Sequence, residues 1–64
     1  MNRSDLAREF RELARLAGSA PSRRRLLRLA VRAERGDFDD ELGWDGISLS
    51  ALADHLLITE GLLA

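Results

Sequence analysis

The stretch Ser22–Arg35 constrains this chain most. Wound as a helix at about 100° per residue, it sorts its side chains onto two arcs. Leu26, Leu27, Leu29, Ala30, Val31 and Ala33 share one broad arc. Arg24, Arg25, Arg28, Arg32 and Arg35 share the other, while Arg23 and Glu34 lie toward the apolar side near the ends. A helix with so wide an apolar arc needs neighbours on more than one side. The expectation is a central core helix with an arginine stripe on its outer surface.

The flanking segments supply those neighbours. Leu6, Phe10, Leu13, Ala14 and Ala17 recur at helical spacing and predict a helix over Asp5–Ala17, capped by Ser4. Gly18 stands where a left-handed C-cap is expected. Pro21 suits the start of the next helix, because its missing N–H and fixed φ fit the first turn. Gly36 marks that helix's end, with Arg32 and Arg35 favourably placed in the last turn. Two amphipathic helices joined by so short a loop form an antiparallel hairpin.

From Asp37 to Gly46 the pattern is irregular. Asp37 is expected to cap a single turn over Phe38–Leu42, with Phe38, Leu42, Trp44 and Ile47 turned inward. Ser48 or Ser50 then caps a helix over Leu49–Leu57, whose Leu49, Leu52, Ala53 and Leu56 share a face. The predicted fold is one all-α domain over residues 1–64: an antiparallel helical hairpin with a third helix packed across it.

Size limits what such a domain can do. A chain of 64 residues buries only about 60% of its unfolded surface, so its stability is marginal without help. Cysteine is absent, which removes disulfide staples and thiolate metal sites. Well-packed helices and self-association remain as aids. Apolar residues make up 45% and charged residues 33%, a balance that suits a folded chain. No segment reads as a signal peptide or a membrane span, so a cytoplasmic location is expected.

The formal net charge of −1 hides a split at Gly36. Residues 1–35 carry all ten basic residues, every one an arginine, against four acids, a formal +6. Residues 36–64 carry seven acids and no arginine, a formal −7. Either the halves face each other or one of them meets a partner. The stripe Arg24, Arg25, Arg28, Arg32 and Arg35 therefore has three readings: a solvated face, a docking surface for acidic protein groups, or a set of phosphate contacts to DNA or RNA. An anionic membrane surface is a fourth reading and is not expected, since the apolar face is needed for the core.

The segment from Ile47 through Leu49, Leu52, Ala53, Leu56, Ile58 and Thr59 to Leu63 resembles the helix-turn-helix segment of bacterial winged-helix transcription regulators. Arg24–Ala30 resembles the helix before such a motif, so the likeness spans residues 22–63. It implies a turn near Ile58, a cap at Thr59 and a recognition helix opening near Glu60. Leu57 stands where glycine is frequent in that family. The recognition helix is cut short at Ala64, and residues 60–64 offer no base-reading donor. The implied fold is a truncated helix-turn-helix, with nucleic-acid binding as the alternative function.

Other chemistry is thin. The acids Asp37, Asp39, Asp40, Glu41 and Asp45 do not follow a calcium loop: counting from Asp37, the sixth and twelfth positions are Leu42 and Ser48. His55 is the only histidine and has no partner at catalytic spacing. The serines read as caps, with no base placed to activate them. No enzymatic activity, cofactor, metal or small-molecule substrate is expected. Trp44, Leu62 and Leu63 are expected either to anchor on the core or to form an interface. The reading reached is a small, non-enzymatic regulatory module that acts through a protein partner or a homo-oligomer.

Overall fold

The computed structural model describes residues 1–62 and is all-helical, with no strand among them. Its elements are α1 (Arg3–Arg15), α2 (Ala20–Glu34), the single turn α3 (Asp39–Leu42) and α4 (Leu49–Thr59). Helices α1 and α2 form the antiparallel hairpin. Arg3, at the start of α1, reaches Asp39, just past the end of α2, with Nε 3.0 Å from Oδ1. Arg11 Nη1 likewise donates to Glu34 at 2.9 Å. α4 packs against α1.

Helix starts follow cap chemistry. The Asn2 side chain accepts from the Asp5 N–H at 2.9 Å, so α1 opens two residues before the expected Ser4 cap. Ser19 Oγ accepts from the Ser22 N–H at 3.3 Å, which pulls Ala20 and Pro21 into the first turn of α2. Ser48 caps α4 by accepting from the Ala51 N–H at 3.1 Å. Each cap satisfies a donor that a helix start leaves without an intrahelical partner.

Helix ends show where glycine is needed. Gly36 has φ +91°, and the Asp37 N–H bonds back to the Arg32 carbonyl at 3.1 Å. Gly61 has φ +80° and repeats the motif at the end of α4, where the Leu62 N–H bonds to the Leu57 carbonyl at 2.8 Å. Both are Schellman stops, which need a left-handed residue at the position after the cap. Gly18, expected in that role, does not have positive φ. α1 ends instead at Leu16, and a bond from the Ala17 N–H to the Ala14 carbonyl closes the turn.

One core holds the helices together. Leu6, Ala7, Phe10 and Ala14 meet Leu26, Leu29, Ala30 and Ala33, with Phe38 and the α4 residues Leu52, Ala53, Leu56 and Leu57 completing it. Phe10, Leu6 and Leu52 are the largest fully buried side chains. Burial of each is worth about 1.5–3 kcal/mol. Phe10 and Phe38 pack tilted, with ring centres 6.2 Å apart. No charged or polar residue is buried among those described.

Three expectations about the core are corrected. Leu27 and Val31 are exposed, at 42% and 53%. Their arc of α2 turns away from α1 and α4, and no other element among the described residues covers it. Trp44 is also exposed, at 45%, instead of turning inward. Asp37 does not cap α3: Phe38 holds the N-cap position without a side-chain bond, and Asp37 is engaged by Arg32 and Arg35.

The implied second helix after a turn at Ile58 is absent among the described residues. α4 stays helical through Thr59, whose hydroxyl donates to the His55 carbonyl at 2.5 Å. Leu62 is half-buried against the core, while Leu63 lies outside the described residues.

Candidate docking face on helix α2

The arginine stripe divides into two parts with different surroundings. Its C-terminal part is held by the chain's own acids. Arg32 Nε donates to Asp37 at 3.3 Å, Arg32 Nη1 pairs with Glu60, and the guanidinium carbon lies 5.0 Å from the centre of the Phe38 ring. Arg35 Nη2 donates to the same Asp37 carboxylate at 3.2 Å. The Glu60 hydrogen bond leads the effects that raise the Arg32 pKa, partly opposed by desolvation. Bonds from Arg35 and Arg32 hold the Asp37 carboxyl below its ordinary value. These two arginines tie the end of α2 to the connector and to the end of α4.

The N-terminal part is open. Arg23, Arg24, Arg25 and Arg28 are exposed, and among the described residues none makes an ion pair or a side-chain hydrogen bond. Around the axis of α2, Leu27 and Val31 lie one turn apart, with Arg24 and Arg28 on one flank and Arg23 on the other. The result is an apolar pair flanked by guanidinium groups, with Glu34, held by Arg11, one turn beyond Val31. Each frame group presents up to five donors in a fixed planar fork suited to carboxylate or phosphate.

Two shallow cavities lie along the neighbouring edge of α2. One, of about 170 Å³, is lined by Arg25, Arg28, Leu29, Arg32, Glu60 and Leu62. The other, of about 230 Å³, has an apolar floor of Leu26, Leu57 and Leu62 beside Ser22 and Arg25. Both fall below the usual size of a small-molecule pocket. No group of three or more metal-ligating side chains converges among the described residues.

A second exposed apolar patch lies elsewhere on the molecule. The Trp44 ring meets His55 edge-on, with centres 5.1 Å apart. Ile58, exposed at 59%, stands on the same outer face of α4, one turn beyond Asp54. Asp45 adjoins Trp44, and neither Asp45 nor Asp54 has a cationic partner among the described residues.

The expected site residues are therefore spread over three places. Arg24, Arg25 and Arg28 share the open face, Arg32 and Arg35 belong to an internal clamp, and Trp44 belongs to the second patch. The helical pattern places Leu27 and Val31 in the core and Arg23 apart from the stripe, whereas all three stand exposed on this face. The width of the apolar arc was the available signal: six apolar positions are more than one small domain covers. A scan of family models and searches of curated proteins and solved structures find no match to this chain.

Proposed function

We propose that the protein is a small, non-enzymatic regulatory module that docks through the outer face of α2 on an acidic surface of a protein. The carrying observation is the exposed Leu27–Val31 pair inside a frame of unpartnered arginines. Protein interfaces have an apolar centre and a polar rim, and arginine is enriched in them. A phosphate backbone would use the arginines but leave the two apolar side chains without a complement. That difference favours protein over nucleic acid as the partner.

The test is a binding titration with a designed helical peptide carrying leucines one turn apart and flanked by glutamates. Binding is expected at low salt. Arg28→Glu is expected to weaken it at least about tenfold, since like charges brought together cost more than the roughly 1.4 kcal/mol of a tenfold step. Leu27→Ser is also expected to weaken it. Duplex DNA bound more tightly than the peptide, with no sensitivity to Leu27→Ser, would transfer the face to phosphate contact and overturn the reading.

A further inference from the structure

We infer that the acidic partner of the α2 face is a second copy of this chain, engaged through its Trp44–Ile58 patch. This rests on the docking role proposed for α2 and names the surface that fills it. Each molecule carries both halves of a complementary pair. One half is Leu27 and Val31 framed by Arg23, Arg24 and Arg28. The other is Trp44, His55 and Ile58 framed by Asp45 and Asp54, with exposed Asp40 in the adjoining turn. In both, apolar side chains stand exposed within charges that lack partners, and the two frames have opposite sign. Trp44 is the residue type most enriched at interface centres.

The charge pattern also selects the geometry. A two-fold contact of α2 against α2 would set arginine against arginine, and one of α4 against α4 would set acid against acid. Only the head-to-tail contact pairs opposite signs. The net charge of −1 leaves no bulk repulsion between copies. The two faces share no residue, so each molecule carries one of each and can use both. A head-to-tail interface of this kind closes into a ring or grows into an open chain. The smallest closed form is a two-fold dimer in which each copy lays its α2 face on the other's patch; without that closure assembly continues past the dimer.

Sedimentation of the full chain over a range of concentrations tests this. At low salt the average mass is expected to rise to twice the 7.1 kDa of the monomer or beyond, to fall back at high salt, and to be accompanied by a shift in Trp44 emission. Arg24→Glu with Arg28→Glu leaves both faces acidic, and Asp45→Arg with Asp54→Arg leaves both basic. Each variant is expected to stay monomeric alone, and the mixture to associate again. All four positions are exposed, and circular dichroism checks that helicity is kept. If a double reversal unfolds, single Arg28→Glu and Asp54→Arg replace it, each weakening association about tenfold. A monomer at every concentration, or a mixture that fails to associate, overturns the inference. A monomer that still binds the acidic peptide through Arg28 and Leu27 overturns the identity of the partner alone and leaves the docking role standing.

Discussion

The guanidinium of Arg32 lies 5.0 Å from the centre of the Phe38 ring, with Asp37 and Glu60 as its two carboxylate partners. One side chain thereby joins α2 to the connector and to the end of α4. One turn away, Arg28 has no such partners. The two arginines look alike in the sequence and do different work. Arg32→Ala is expected to lower stability by about 1 kcal/mol, the size of a partly desolvated cation–π contact. Arg28→Ala is expected to stay within about 0.5 kcal/mol of the parent, as an exposed surface change does. Urea denaturation of both variants checks this.

Acid sensitivity follows from the carboxylates that arginines hold. Hydrogen bonds from Arg35 and Arg32 lower the Asp37 pKa below 3.8, the bond from Arg3 lowers Asp39 below 3.8, and the bond from Arg15 lowers Glu12 below 4.5. Folding depresses these values, so the unfolded chain binds more protons in this range. Their contribution is fully present above the ordinary values and is lost as pH falls through the folded ones. The urea midpoint is therefore expected to be flat near neutral pH and to drop below about pH 4. Asp37→Asn is expected to flatten that drop, and added salt to shrink it, because all three carboxylates are exposed.

Gly36 and Gly18 should respond oppositely to alanine. Gly36 has φ +91°, and an added Cβ would collide with the Arg3 guanidinium. Gly36→Ala is expected to cost about 1–2 kcal/mol from the left-handed conformation, and to disturb the Arg3–Asp39 pair as well. Gly18 has nothing within 4 Å of a built Cβ and lacks positive φ. Gly18→Ala is expected to be neutral or to raise stability by about 0.4–1 kcal/mol, through a less flexible unfolded chain. Thermal melts of the pair decide it.

Phe10 is fully buried beside Phe38 at the centre of the only core among the described residues. Phe10→Ala is expected to cost about 3–5 kcal/mol. In a domain of this size that is much or all of the folding free energy, so helicity at room temperature should collapse. Leu27→Ala, on the exposed side of α2, should leave the melt nearly unchanged.

Much of the fold could be read from local patterns. The hairpin, the buried set Leu26, Leu29, Ala30 and Ala33, the Ser48 cap and the Gly36 stop all follow from spacing and cap chemistry within a turn or two. What escaped depends on parts of the chain remote in sequence. A helical wheel gives the direction of the apolar arc of α2 but not how much of it α1 and α4 cover, so Leu27 and Val31 were assigned to the core. Arg32 separates from Arg28 only when Glu60, 28 positions away, folds back beside it. Gly61 carries the same stop signal as Gly36, whereas the helix-turn-helix likeness implies a cap at Thr59. Trp44 has no periodicity around it, and its edge-on contact with His55 exists only once α4 is docked.

The measurement that bears most directly on the docking face is the salt-dependent affinity of the acidic leucine peptide for the intact protein and for Leu27→Ser with Val31→Ser. The account predicts clear binding at low salt, loss of at least about tenfold in the double variant, the 1.4 kcal/mol equivalent, and unchanged folding by circular dichroism. Equal affinity of the two proteins at every salt concentration would contradict it, leaving the arginines a sequence-blind electrostatic surface and the exposed apolar pair without a role.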